Sequence, residues 1–259
     1  MLWTLYTAAL GMLPQQTRLK ILANNIANAE TAGYKRIGTF QHAVIEAQQN
    51  LRNVPGQAEP EDNLINRYYD FTLGDARYTG NPLDLYLHTD GFFQVSDAEG
   101  NLFLTRSGRF TIDAEGYLRT VDGKYVMGRG GAIRVLSEIP EVRAGSNSEL
   151  SRRIRVTRYG EIYRGETFID ALSIIKVDNP QTLQRTSGVL FRPTANTQLQ
   201  QLPNEDVQIQ QGFIERSNVS LVDEMVQLIT IQRAFELGQR VIRLNDATLG
   251  RSIDIARFL

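Results

Sequence analysis

Apolar side chains recur every seven residues at both ends of the chain and every two residues in between. In the last forty residues the series is Leu221, Leu228, Phe235, Ile242, Leu249 and Ala256. Met225, Ile231 and Ile253 widen this stripe, no proline interrupts it, and its only glycines are Gly238 and Gly250. A repeat of seven keeps one seam turned toward a partner if the helix supercoils slightly left-handed. The predicted helix is roughly 55 Å long at about 1.5 Å per residue, when average helices hold about a dozen residues. Its other faces carry mixed charge, including Asp223, Arg233, Glu236, Arg240 and Arg243. A surface helix over a globular core and a coiled-coil strand used for assembly both fit this pattern. The other end of the chain favours the second.

There, Leu5, Met12, Leu19 and Ile26 are also seven apart, with Leu22 on the same side. They predict a helix from about Trp3 to Asn28. Pro14 falls inside it and predicts a kink or a break near Leu13, because proline supplies no N–H and its ring crowds the preceding turn. Ala8, Ala9, Gly11 and Ala23 leave room for a second helix, and the C-terminal stripe has the same period. The ends of the chain are therefore expected to come together and the middle to project. Asn24, Asn25 and Asn28 close the N-terminal helix. Their amides serve equally as solvated surface or as polar contacts between subunits, since an amide both donates and accepts.

Residues 48 to 67 lose apolar periodicity and carry Pro55, Gly56 and Pro60 beside Glu59, Glu61 and Asp62. This reads as a linker, or as an arm that orders against neighbouring subunits. From Tyr68 to about Gly212 the period becomes two, with turn residues every 8 to 12 positions. Strands are expected at 91–96, 101–106, 109–113, 117–121, 124–128, 132–136, 152–158, 161–164 and 168–177. Asp97-Ala98-Glu99-Gly100 returns as Asp113-Ala114-Glu115-Gly116, which predicts two matching tight turns. An EF-hand calcium loop lacks its alternating ligands there. Residues 181–206 read as an extended return path, and Ser220 as the cap that starts the last helix, with Asp223 and Glu224 favouring its positive end. The expected fold is α+β: long N- and C-terminal helices form a coiled-coil-like domain from 1–36 and 218–259, an arm spans 37–69, and an irregular all-β domain spans 70–217.

Composition changes little in this picture. The chain has 259 residues, a formal net charge of −1 and no cysteine. No basic surplus points to nucleic acid or an anionic membrane. Disulfides and cysteine nucleophiles are excluded. No apolar run reaches the roughly 18–20 residues of a membrane span, and the N-terminus does not read as a cleaved secretory signal.

Catalytic patterns are equally sparse. His42 and His88 lie far apart with no ligand spacing around them. Gly128-Arg129-Gly130-Gly131 is followed by a hairpin and not a helix, so a glycine turn is expected in place of a phosphate cradle. No nucleophile elbow, Walker A or zinc-protease motif is present. A carboxylate pair acting on a glycan stays open, because sequence does not fix the separation of two acids. No catalytic residue, metal or cofactor is expected.

Three blocks carry a resemblance. Residues 22–36, LANNIANAETAGYKR, resemble the N-terminal signature of the flagellar rod and hook proteins. GNPLDLYLHTDGFFQV with LTRSGRFTIDAEGYL resembles the central segment of that family, and GFIERSNVSLVDEMVQLITIQRAFELGQRVI its C-terminal signature. The blocks occur in the family's order and cover about half the chain. The resemblance is to the basal-body rod proteins of the FlgF and FlgG type, leaning to FlgF. It implies a structural subunit that stacks axially with rod neighbours, hook components and copies of itself to transmit torque. It also implies a periplasmic position in the basal body, reached through the flagellar type III apparatus. On that reading Leu5, Met12, Leu19, Leu22, Ile26, Leu221, Leu228, Phe235, Ile242 and Leu249 pack between helices, and Asn24, Asn25 and Asn28 make polar subunit contacts. The competing expectation is a periplasmic glycan-binding or peptidoglycan-acting β protein with a coiled-coil handle.

Overall fold

Alternating side chains become strands here wherever an Asp or Gly closes the turn that follows. The computed structural model describes residues 2–41, 65–135 and 154–257. After helix α1 (Leu2–Ala27) come β1 (Ile37–Gln41), β2 (Ile65–Tyr69), β3 (Ala76–Tyr78), β4 (Leu85–Leu87), β5 (Phe92–Ser96) and β6 (Leu102–Thr105). Next are β7 (Phe110–Ile112), β8 (Leu118–Thr120), β9 (Tyr125–Gly128), β10 (Gly131–Ala132), β11 (Ile154–Val156), β12 (Glu161–Arg164) and β13 (Thr167–Ala171). The chain closes with β14 (Ile174–Val177), β15 (Gln184–Ser187), β16 (Leu190–Arg192), β17 (Leu199–Gln201), β18 (Ile209–Gln211), β19 (Phe213–Glu215) and helix α2 (Leu221–Arg257). No helix among the described residues is long and apolar enough to cross a membrane.

Contacts divide the chain into two units. One comprises Met1–Asn28, Arg36–Asp70 and Val219–Leu259, the other Ala29–Lys35 and Phe71–Asn218. In the first, α1 packs against α2, and β1 pairs antiparallel with β2 from Ile37↔Tyr69 to Gln41↔Ile65. In the second, a ten-stranded sheet runs β15-β16-β6-β5-β9-β8-β7, with β10 beside β9, β14 beside β5 and β17 beside β14. A three-stranded sheet, β11-β12-β13, and the pairs β18–β4 and β19–β3 complete it. Its core holds Phe93, Val95, Phe110, Val126, Ile162 and Ile174, each at most 1% exposed. Phe93 and Phe110 meet edge to face at 5.3 Å, the arrangement that sets a positive ring edge against a negative face.

The two matching turns form as expected, by the same bonds. Asp97 Oδ1 accepts from the backbone N–H groups of Glu99 and Asn101, and Asp113 Oδ1 from those of Glu115 and Tyr117. Gly100 and Gly116 both sit at φ +85°, a left-handed conformation open to glycine without a steric penalty. The glycine turn at 128–131 likewise forms, and its Gly130 N–H donates to the Asp170 carboxylate at 3.2 Å. The single strand expected at 168–177 is instead two, β13 and β14. Leu172 and Ser173 part them, their N–H groups donating to Gly160 and Met127. The return path at 181–206 contributes strands β15, β16 and β17 to the large sheet.

The expected fold class needs correction. Among the described residues the protein is mostly β-strand with two α-helices, of which the C-terminal α2 is the longer, and a coiled-coil-like domain of matched long helices is not what it forms. The reason lies along α2. Leu221 is 46% exposed, Leu228, Phe235 and Ile242 are only half-buried, and the buried residue of its described face is Glu224. Glu224 is fully buried in the first turn of α2, and the apolar positions that follow on the side packed against α1, Leu228, Ile231, Phe235 and Ile242, are only partly covered. Helix α1 runs unbroken through Pro14, where a kink or break was expected.

Candidate assembly site

The first unit is built around one side-chain amide. Asn25, at 0% exposure, lies near the end of α1, where Ile21 and Leu22 are buried one turn earlier. Its Nδ2 donates to Ile37 O at 2.9 Å, and its Oδ1 accepts from Ile37 N at 3.0 Å. The amide therefore pairs with the first residue of β1 as a neighbouring strand would. Nδ2 also donates to Glu224 Oε2 at 3.1 Å. Glu224, 1% exposed, takes a further bond from Arg36 Nε at 2.5 Å. Burial alone would lower the Arg36 guanidinium, but Glu224 outweighs it and holds the group above its ordinary value. Bonds to an ionised partner are the stronger kind, about 1.5–3 kcal/mol each. Beside this cluster a cleft of about 350 Å³ opens, lined by Arg18, Ile21, Leu22, Tyr68, Thr230 and Ile231 among others. Among the described residues that line it there is no carboxylate or imidazole.

The second unit has its own buried carboxylate. Glu215 at the end of β19 is 1% exposed. Its Oε1 accepts from Lys35 Nζ at 2.6 Å and from Gly74 N at 3.0 Å, and its Oε2 from Arg106 Nε at 2.9 Å. Two buried cations on one anion leave a surplus positive charge. Backbone carbonyls absorb it: Lys35 donates to Thr72 O at 2.6 Å, and Arg106 to Leu87, Thr89 and Gly91. The segment carrying Lys35 is fixed in turn by Gly33, whose φ is +70° and whose absent Cβ would lie 2.3 Å from Ser107 N. Its N–H donates to Glu215 O at 2.9 Å. Burial, with the Glu215 charge next, raises the Tyr86 phenol above its ordinary value.

The sequence-predicted packing residues distribute unevenly. Leu22 is buried, while Leu19, Ile26, Leu228, Phe235 and Ile242 are half-buried and Leu221 is exposed. The side chains of Leu5, Met12 and Leu249 lie outside the described residues. Of the three asparagines, Asn25 is used inside the chain. Asn28 is half-buried and donates to Asn24 O at 2.8 Å, and Asn24 is exposed. Sequence reasoning missed Lys35, Arg36, Arg106, Glu215 and Glu224. The available signal was that Lys35, Arg106 and Glu215 fall one in each of the three blocks, and the fold brings them onto one carboxylate.

Helix α2 also presents apolar side chains outward. Val222 is 71% exposed, Val226 58%, Ile229 47%, Leu237 60%, Val241 52% and Leu244 62%. Leu221 and Met225 on the same helix are 46% and 48% exposed, so these are not the isolated exposed aliphatics that are ordinary on a surface. Among the described residues no group of three His, Asp or Glu is placed to hold a metal ion.

Residues 5–35 match the family described as flagella basal body rod protein, residues 86–163 the flagellar hook protein FlgE/F/G D1 domain, and residues 210–255 the flagellar basal body rod FlgEFG protein C-terminal region. The FlgF rod protein of Caulobacter vibrioides is 34% identical over 255 residues, covering 96% of this chain and 95% of that protein. The FlgG rod protein of Agrobacterium fabrum is 31% identical over 260 residues, covering 92% and 94%. The FlgF rod protein of Escherichia coli is 31% identical over 261 residues, covering 97% and 96%. With three family regions in order and relatives matched over nearly their whole length, the chain belongs to the flagellar basal-body rod proteins.

Proposed function

We propose that this chain is a structural subunit of the flagellar basal-body rod that stacks axially with rod neighbours, hook components and copies of itself to carry torque. The observation that supports it most is the outward apolar run on α2, which a solitary protein gains nothing by exposing. Each subunit repeating the same head-to-tail contact gives an open helical filament. In this reading 1–36 and 218–259 assemble, 37–69 is the arm, and 70–217 is the outer β part. Leu221, Leu228, Phe235 and Ile242 pack between subunits, with Leu5, Met12, Leu19, Leu22, Ile26 and Leu249 on the same seam. Asn24 and Asn28 supply polar contacts, while Asn25 holds β1 in place. The site of action is the periplasmic part of the basal body, reached by flagellar export. The function is mechanical, with no catalytic step.

The glycan-binding reading is less favoured, since the relatives matched along the chain are named as rod proteins. Deletion of the gene tests the proposal. Basal bodies isolated from the deletion strain are expected to end at an incomplete rod in electron micrographs. Complete rods and normal swimming would refute it.

A further inference from the structure

Strand β1 reads Ile-Gly-Thr-Phe-Gln. It holds no proline and no charge, the usual means by which a protein protects a sheet edge from further pairing. One edge is taken by β2. Arg36 O accepts from Asp70 N at 2.9 Å, which makes Gly38 and Tyr68 the next pair to exchange ladder bonds. The other edge is met only at its first rung, where the Asn25 amide bonds both backbone groups of Ile37 at 2.9 and 3.0 Å. Backbone groups alternate in direction along a strand. The N–H and C=O of Thr39 and Gln41 therefore point to the same side as those of Ile37, away from β2. Among the described residues those of Thr39 have no partner.

This unpaired stretch opens on the cleft of the first unit. Thr39 lines it together with Ile21, Leu22 and Ile231, which supply apolar walls, and with Arg18. Arg18 is half-buried and makes no ion pair among the described residues. Arg36, the other cation of the lining, is already held by Glu224. The cleft thus joins a free sheet edge, an apolar wall and one uncompensated cation.

We propose that β1 takes up an extended segment of a partner polypeptide as a third strand, which bonds the free backbone groups from Thr39 onward, sets an aliphatic side chain against Ile21 and Ile231, and places a carboxylate on Arg18. The site does not depend on the rod-subunit reading. Strand addition draws affinity from the main chain and specificity from alternate side chains. A period of two puts the aliphatic group and the carboxylate on one face of the segment, two residues apart. Asn25 fixes the register, since its amide already fills the rung at Ile37. A helix in the cleft would satisfy its own backbone and cover the Thr39 groups unpaired, at a desolvation cost that strand pairing avoids. A small apolar acid would meet Arg18 and leave the strand edge unused.

The test uses the full chain and a fluorescein-labelled peptide, Val-Thr-Glu-Thr-Val-amide, read by anisotropy. Saturable binding is expected. Lys in place of Glu in the peptide is expected to weaken it at least about five-fold, and Arg18→Glu to reverse that preference. N-methylation separates a strand from any other ligand, because an added strand uses the N–H groups of one edge only. Methylation of the Glu nitrogen and methylation of both Thr nitrogens are expected to differ: one abolishes binding, and the other changes affinity less than about two-fold. On the protein side, Thr39→Pro removes an N–H that β2 does not use, and proline is tolerated at such an edge position. It is expected to lower affinity at least about ten-fold with an unchanged circular dichroism spectrum. If that variant fails to fold, the Arg18 reversal and the methylated peptides still decide. No saturable binding up to about 1 mM peptide overturns the proposal. An equal effect of the two methylation patterns also overturns it and would mean a site for an apolar acid only. Binding that neither substitution changes places the peptide elsewhere and overturns it too. Each of these results leaves the rod reading standing.

Discussion

At the scale of single residues, the fold depends on polar groups that are expensive to bury and are fully occupied once buried. Glu215 pairs with both Lys35 and Arg106 where neither has solvent, and backbone carbonyls take up the remaining positive charge. Removing one partner of such a cluster leaves charge uncompensated, at a cost of about 3–5 kcal/mol. Glu215→Gln is therefore expected to lose that much in chemical denaturation, and a loss under about 1 kcal/mol would assign the cluster no more weight than a surface ion pair. Asp97 carries a second prediction. Its bond from the Asn101 side chain, joined by backbone bonds and nearby Lys124, holds the carboxyl below its usual value against burial, which acts the other way and is the next-largest effect. A carboxyl depressed in the folded state stabilises fully above its unfolded value of about 3.9 and loses that contribution as pH falls through the lower folded value. The acid limb of stability should therefore flatten in Asp97→Asn, while an unchanged limb would assign the acid sensitivity to other groups. These burials were not legible in the sequence. Asn25 meets Glu224, and Lys35 meets Glu215, across separations of 199 and 180 residues. A local pattern carries no information about pairing at that range. The Asp-x-x-Gly turns were legible because both halves of their mechanism lie within five residues.

At the scale of elements, strand positions followed from period and turn chemistry, and the character of the helical part did not. Eight of the strands from β5 to β14 lie within segments expected to be extended, because the sheet buries one face and the alternation records it, and β10 and β13 start one residue ahead of theirs. The heptad series on α2 suggested a continuous apolar seam, whereas Glu224 is its buried contact and Phe235 and Ile242 are only half-covered. Periodicity reports that a face is apolar, but it does not say whether the chain itself covers that face. If a neighbouring subunit completes it, Phe235→Asp should abolish rod assembly and leave the β unit folded. The expected result is no motility, with unchanged near-ultraviolet circular dichroism from the β-unit aromatics. Normal swimming would show that this position faces no partner. Asn25→Ala makes a contrasting prediction for α1. It removes both bonds to Ile37 and one to Glu224, so the first unit should lose stability by about 3–6 kcal/mol, at about 1–2 kcal/mol for each of the three groups. Denaturation would read this directly, and a neutral result would contradict the role given to the amide.

At the scale of the whole molecule, two units have separate buried polar anchors and one exposed apolar helix face. The sequence resemblance, the family regions matched and the relatives covered nearly end to end all place the chain among the rod proteins. The physical complement to that membership is the face of α2, which gains partners only through assembly. The most direct measurement is electron microscopy of basal bodies from cells whose sole copy of the gene carries Val226→Asp together with Val241→Asp. Both positions are more than half exposed, so the isolated subunit should fold as before. Basal bodies with rings but no completed rod are predicted. Complete rods on swimming cells would contradict the claim that this face joins one subunit to the next.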